Sequence, residues 1–484
     1  MKDKKLTKEV GYVTSTQDYL VNLEGLPNAQ IYDIAVTKDG GRAMVWGLEQ
    51  DHVEALMLDA ERPKPGDCLE LSGEGVSLPL NVNFFGRVIN PLGVPLDGES
   101  DLPPGGEQID LDAVAPGIDA RSLIKKQFYT GITLVDTLLP LGRGQRELIL
   151  CEPRSGKEQF FLDIIASQKE NGVICIYSAI GRSELEVRRF GEEIEEAGAS
   201  EYTVIVAGTS NESAPVITIT AHVASSLAEH YRNNGKDVLL IHDDLATHAK
   251  YSREISLLAK RVPGRESYPA DIFYQHSSVL ERGGSYNEHY GGGAITLLPV
   301  IETNIENFTA LIPTNVMSIT DGHILFSANM RAQGLYPAIE ADRSVTRVGR
   351  QTQMFIHKVL SDKIRSLMAE YQELERYSKF GAELSEETRL KIKRGRVSEE
   401  LIRQEPLHPV SPGVQILFLT LVFTGYFDNA EIESVRANKE KIIEVLKKES
   451  VYQDMINKIE DKKYEEIEES LKNNLKPLEG ILSS

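Results

Sequence analysis

Short apolar runs separated by Gly, Pro, Asn and Asp make up the start of the chain: YLVNL, IYDIAVT, RAMVWGL and EALML. Short strands at even spacing, with turn residues between them, predict a small β-barrel or sandwich over residues 1–72. A stretch rich in Pro, Gly and Asp follows, including NPLGVPLDG (Asn90 to Gly98) and LPPGGEQ (Leu102 to Gln108), and reads as an irregular connector. From about Leu134 to Gly349 the pattern changes. Continuous apolar runs (ELILCE, GVICIYSAI, YTVIVAG, DVLLIHDD) alternate with helix-length segments. Such runs suit strands buried on both faces, hence a parallel sheet covered by helices. After Gln351 the strand pattern stops and helical periodicity takes over. The longest apolar stretch, Val414 to Phe427, is broken by Gln415, Thr420 and Thr424. It is too short to cross a bilayer comfortably and is expected to be a buried helix. The expected organisation is β, then α/β, then α, with domains at 1–72, 73–350 and 351–484.

Composition narrows the function classes. The chain has 484 residues, 41% apolar and 26% charged, enough for several domains with cores. A net charge of −20 argues against a nucleic-acid partner and against direct docking on anionic lipid. Cys68, Cys151 and Cys175 have neither metal-ligand nor disulfide-framework spacing, and a reducing cytoplasmic setting suits them. The N-terminal MKDKKLTKEVGY has basic residues with no apolar run behind them, so no signal peptide is expected. Membrane association is expected only through partners.

The chemistry begins where ELIL runs into CEPRSGKE and then QFFLDIIASQ. Strand, loop and helix in that order are the setting of a phosphate-binding loop. Arg154, Ser155, Gly156 and Lys157 are the candidate nucleotide contacts. Three departures weaken the loop. Cys151 stands where the first Gly belongs, and a Cβ there hinders close backbone approach. Pro153 removes one N–H from a loop that aims N–H groups at phosphate oxygens. Glu158 replaces the hydroxyl that holds Mg²⁺, and adds like-charge repulsion of about 4 kcal/mol per charge pair at 4 Å in an effective dielectric near 20. Glu158 opens a helix, where an anion is favoured, so it could itself substitute for a phosphate. Neighbouring helical positions do not face each other, so no pairing of Glu158 with Lys157 is expected, and Arg154 is a candidate partner.

Five further segments carry a family likeness: GRVINPLGVPLDG (Gly86 to Gly98), TGITLVDTLLPLGRGQREL (Thr130 to Leu148), PGRESYPADIFYQHSSVLER (Pro263 to Arg282), PTNVMSITDG (Pro313 to Gly322) and SVTRVG (Ser344 to Gly349). Together, in this order, they resemble the alpha subunit of rotary F-type ATPases over nearly the whole chain. The resemblance implies an N-terminal β-barrel, a central P-loop domain of RecA-like α/β type and a C-terminal helical domain. It implies a ring of alternating alpha and beta subunits around a gamma stalk, peripheral on the inner face of the cell membrane, with ATP or ADP and Mg²⁺ at the interface with beta. By the same resemblance Arg347 is the arginine finger that reaches the beta catalytic site, with Ser344 beside it shaping the interface. Read alone, Arg347 would be a surface ion pair. Asp243 corresponds to the acid that holds Mg²⁺ through water, if Mg²⁺ binds at all, and read alone would be a strand-end carboxylate. Asp244 is a weaker candidate.

Departures from the family pattern shape the expected role. Arg182, in YSAIGRSE, stands where beta subunits carry a catalytic Glu and ordinary alpha subunits Gln, and a cation is no general base. PAIEADRSVT carries Glu340 and Thr346 where the family has other residues. The loop after LLER is short, GGSYNEHYGGG. The chain begins almost at the barrel, so contact with a delta stator subunit is expected to be doubtful. The expected function is a non-catalytic alpha-type subunit that completes its neighbour's site while its own is weak or empty. Two alternatives stand beside it: a structural pseudo-ATPase in a specialised motor without proton coupling, and a stand-alone hexameric ATPase, which Arg182 and the damaged loop oppose.

Overall fold

The computed structural model describes residues 9–103, 107–109, 111, 113–378 and 385–483. Most of the basic N-terminal stretch and part of Leu102–Gln108 lie outside the described residues. The chain divides into two compact units. One comprises residues 1–123, 143–153 and 168–323, and the other 124–142, 154–167 and 324–484. The element types change near residues 72 and 350, but the compact units part elsewhere. The helical tail draws two segments from the middle of the chain into its own unit, because their apolar faces pack there.

The first unit opens with a closed six-stranded barrel. Its strands are β1 (Val10–Gln17), β2 (Leu20–Glu24), β3 (Ile34–Thr37), β4 (Arg42–Leu48), β5 (Val53–Met57) and β6 (Cys68–Leu71), in the order β1-β2-β5-β4-β3-β6. β6 closes the ring by pairing antiparallel with both β1 and β3. Closure removes the open edges that short strands would otherwise expose. Val21, Leu23, Ala35, Ala43, Val45, Ala55 and Leu69 fill the interior.

The same unit contains a parallel sheet with the strand order Leu148–Cys151, Ala294–Glu302, Val238–Asp243, Ile174–Arg182, Thr203–Thr209 and Val88–Ile89. The inner strands are buried along almost their whole length, which is why they read as unbroken apolar runs. Val88–Ile89 lies just before the segment expected to be wholly irregular and adds a short edge strand. Ligands of such sheets bind beyond the carboxyl ends of the strands, and here those ends carry Cys151, Glu302, Asp243 and Arg182.

The second unit is mainly helical. Its longer helices are Lys157–Ser167, Phe355–Ser378, Glu386–Ile402, Pro412–Thr424, Ile432–Lys448 and Tyr464–Asn473. Pro412–Thr424 is buried on all sides from Gly413 to Val422 and stops at Gly425, whose φ of +86° suits glycine. It is the core helix expected from its composition. Among the described residues no helix is long and apolar enough to cross a membrane. The buried carboxylate of Asp136 ties this unit together. It accepts hydrogen bonds from the Thr130 N–H and hydroxyl (both 2.8 Å), the Gly131 N–H (3.0 Å) and Gln415 Nε2 (2.9 Å). Burial pushes its carboxyl up to about 6, against the pull of these donors.

Candidate functional site

Within the first unit, parallel register brings three acids together. Asp243 ends its strand opposite Ala179, and Glu302 ends its strand opposite Cys151. Asp244 follows directly and caps the helix Leu245–Leu258, accepting the Thr247 N–H at 2.5 Å. One carboxylate oxygen from each of Asp243, Asp244 and Glu302 lies within 4.8 Å of the other two.

Arg182 reaches into this group. Gly181, at φ +69°, makes a bulge against the Thr203–Thr209 strand, and the register shifts between Ile180 and Arg182. Ser183 then starts the next helix with a reciprocal capping box to Glu186, which pins the chain on the other side of Arg182. A single nitrogen, Arg182 Nη2, stands 2.7 Å from Asp243 Oδ1, 3.0 Å from Glu302 Oε2 and 4.0 Å from Asp244 Oδ2. The other oxygen of Asp243 accepts the Tyr177 hydroxyl at 2.6 Å. Burial opposes the charge on Arg182, and Asp243, Tyr177 and Asp244 outweigh it, holding the guanidinium above its ordinary pKa.

This geometry bears on whether the acids fit Mg²⁺. The ion demands oxygen ligands at about 2.0–2.1 Å in near-octahedral array and keeps a shell of waters. Here the space between the carboxylates is taken by a guanidinium nitrogen, and both Asp243 oxygens already accept hydrogen bonds. The residues present do not fit the metal. Asp243, expected to hold Mg²⁺ through water if Mg²⁺ binds at all, is paired with Arg182 and Tyr177 here.

The phosphate-loop sequence crosses from the first unit to the second between Pro153 and Arg154. On the first side, Cys151 ends an extended strand and is fully buried, with its thiol 3.6 Å from the Ile301 carbonyl. The side chain turns into the interior. On the second side, Arg154 takes a left-handed φ of +63° and Gly156 one of +86°. The Ser155 hydroxyl is buried without a hydrogen-bond partner. Lys157 is buried at the start of the helix Lys157–Ser167, whose first N–H groups have no partners within the helix. These donors fit an anionic group.

Glu158 is half exposed and lies 3.7 Å from Lys157 Nζ, so Lys157 is its neighbour, contrary to the expectation that the two do not pair. At the first helical turn a lysine stem is long enough to reach an adjacent carboxylate. Sequence reasoning also missed Arg331. Its Cδ and Nε lie 3.3 Å from where a Cβ on Gly156 would sit, and its guanidinium rests over the Tyr336 ring at 5.7 Å. The Tyr336 hydroxyl donates to Asp163 at 2.5 Å.

Elsewhere in the second unit, SVTRVG forms a short fastened segment. The Ser344 hydroxyl is buried, accepting the Leu325 N–H (3.0 Å) and donating to the Glu340 carbonyl (2.8 Å). It braces the segment from inside rather than presenting itself at a surface. Thr346 donates to the Pro140 carbonyl at 2.9 Å, and Gly349 packs so close to that oxygen that a Cβ would fall 1.5 Å from it. Between these anchors Arg347 is exposed, and its side chain has no hydrogen-bond or ion-pair partner among the described residues.

The family described as "ATP synthase alpha/beta family, nucleotide-binding domain" matches residues 131–346. "ATP synthase alpha/beta chain, C terminal domain" matches residues 353–478. The chain is 37% identical to an ATP synthase subunit alpha of Caldanaerobacter subterraneus subsp. tengcongensis over 469 residues, covering 96% of this chain and 92% of that one. It is 36% identical to that of Aquifex aeolicus over 471 residues (97% and 93%), and 38% identical to that of Lactobacillus helveticus over 435 residues (90% and 86%). Barrel, parallel nucleotide-type sheet, helical tail and these near-full-length matches agree: the chain belongs to the ATP synthase alpha/beta family, among the alpha subunits of F-type rotary ATPases.

Proposed function

We propose that this chain is a non-catalytic alpha-type subunit that alternates with catalytic beta-type subunits around a gamma-type stalk and lends Arg347 to the neighbouring beta site. Its own nucleotide site is weakened. The complex sits on the inner face of the cell membrane through other subunits, and makes or hydrolyses ATP with Mg²⁺ at the beta sites. Ser344 and Thr346 act as braces that hold the finger segment.

The observation that carries this reading is the contrast around Arg347. A cation with no partner among the described residues, on a segment anchored at both ends, is available to an anionic transition state on another chain. An arginine finger typically contributes about 10³–10⁵ in rate by neutralising charge on the transferring phosphoryl group. Arg182 supports the non-catalytic half of the reading, since a guanidinium held in its charged form by two carboxylates takes no proton from water.

The test is Arg347→Ala in the assembled alpha–beta–gamma complex. ATP hydrolysis is expected to fall by about 10³ or more, with the complex still assembling by size-exclusion chromatography. Unaltered turnover, or loss of assembly, would refute the role. The departures of the phosphate loop at Cys151, Pro153 and Glu158 also favour a second reading, a pseudo-ATPase subunit of a motor without proton coupling. Proton pumping by the complex in sealed vesicles would exclude that reading.

A further inference from the structure

We propose that the Arg182 guanidinium is the permanent counter-cation of the Asp243 and Glu302 strand ends, so that the acidic site of this subunit takes no divalent metal. The inference deepens the reading of a weakened own site. It does not depend on Arg347.

The position of the nitrogen carries the argument. Three carboxylates, each with one oxygen within 4.8 Å of the other two, repel one another unless a cation stands between them. Arg182 Nη2 is the cation that stands there, at 2.7 Å from Asp243 and 3.0 Å from Glu302. Asp243 keeps no oxygen without a hydrogen bond, since Tyr177 donates to the second one. Asp244 has its own employment, capping the helix Leu245–Leu258. An incoming divalent ion would therefore have to displace a tethered guanidinium and strip its own water at the same time.

The placement of Arg182 is also built into the backbone. The Gly181 bulge turns the residue, and the capping box at Ser183 stops it from turning back. A Cβ on Gly181 would lie 2.6 Å from Thr247 Cγ2, on the helix that Asp244 caps. Bulge, cap and helix start thus hold the cation and the acids in one arrangement. A covalently attached cation does not dissociate, so chelators and changes in free metal leave the counter-cation in place.

Mn²⁺ binding to the full-length chain, read by electron paramagnetic resonance, tests the proposal. The wild type is expected to bind Mn²⁺ only as weakly as Asp243→Asn does. Arg182→Ala is expected to gain a site that binds at least about tenfold tighter, because a buried like charge has been removed, and the gain should vanish in Arg182→Ala/Asp243→Asn. Thermal unfolding provides a second readout. The wild-type midpoint should be the same in EDTA and in excess Mg²⁺, whereas that of Arg182→Ala should fall in EDTA and recover with Mg²⁺. If Arg182→Ala does not fold, Arg182→Lys keeps a cation at the cluster and should remain as indifferent to metal as the wild type. Wild-type Mn²⁺ binding that Asp243→Asn abolishes would overturn the proposal, as would an Arg182→Ala protein that folds without gaining a site, or an Arg182→Lys protein that gains one. Any of these results leaves the Arg347 reading standing, and retained turnover in Arg347→Ala leaves this one standing.

Discussion

Arg182 and Arg347 carry the same side-chain group in opposite settings. Arg182 ends a buried strand of the first unit, and one of its nitrogens contacts two carboxylates with a third at 4.0 Å. Arg347 lies on an exposed segment of the second unit and has no partner among the described residues. A guanidinium stays charged in either place. What differs is whether its charge is already spent. At Arg182 it is engaged by the chain's own acids, which closes off metal chemistry there. At Arg347 it is unspent, and the braces at Ser344, Thr346 and Gly349 hold it in position at no cost to its charge.

Substitution should separate the two arginines. The largest effect is expected for Arg347→Ala, a loss of about 10³ or more in hydrolysis by the assembled complex. Arg347→Lys keeps the charge but lacks the planar fork, so it should recover only part of that rate. Neither change should shift the unfolding midpoint of the chain, because the exposed Arg347 side chain has no hydrogen bond or ion pair to lose among the described residues. Arg182→Ala should do the reverse. It leaves Asp243 and Glu302 facing each other without the guanidinium between them, and removing one member of a buried ion cluster typically costs about 3–5 kcal/mol. Equilibrium unfolding in urea at neutral pH measures it. A loss of stability in Arg347→Ala as large as in Arg182→Ala would erase the contrast.

Acid provides a third, intermediate probe, centred on the unit that holds Arg182. His242, His248 and His276 are buried there, and burial lowers them to about 3, about 4 and about 3. The unfolded chain takes up protons near its ordinary histidine pKa of about 6.5, before the folded chain does. The unfolded state therefore binds more protons in this window, and stability rises with pH across it. The stabilisation is complete above about pH 6.5 and is lost as pH falls toward the folded values, at up to about 1.4 kcal/mol per pH unit for each histidine. Urea midpoints between pH 7 and pH 4 should fall along that slope in wild type and in Arg347→Ala alike. A flat profile would mean these rings are not buried neutral.

The smallest effect is expected at Glu158. Its pair with Lys157 is half exposed and 3.7 Å long, so Glu158→Thr should change stability by less than about 1 kcal/mol. Combined with Cys151→Gly, it should raise retention of nucleotide on the purified chain, measured after gel filtration. With Arg182 in place that gain should be the same in EDTA as in Mg²⁺. A gain that requires Mg²⁺ would show that the guanidinium yields to the metal.

Much of this was readable along the chain because local rules govern it. Alternating short runs marked the barrel, and continuous apolar runs marked the doubly covered strands. The Val414 to Phe427 stretch was legible as a core helix because its polar interruptions are few and its length falls short of a membrane span. The loop residues Ser155, Gly156 and Lys157 were legible because a phosphate loop is one contiguous motif. Glu302 was overlooked, although it ends an apolar run just as Asp243 does. Arg331 left no sequence signal, being an arginine on a short helix. The expectation that Glu158 would not pair with Lys157 was wrong because the rule for neighbours along a helix does not bind a long side chain in the first turn.

The sequence by itself determined the kinds of element, their order, the family and the departures at Cys151, Pro153, Glu158 and Arg182. Only the tertiary structure decided what Arg182 does. Its acids lie 61 and 120 residues away along the chain, and spacing of that size carries no information about distance. Parallel register and one glycine bulge bring them together, because strand pairing aligns the carboxyl ends of segments that are remote in sequence. The exposure of Arg347 is tertiary in the same sense, since it depends on which neighbours Ser344 and Gly349 find when the chain folds.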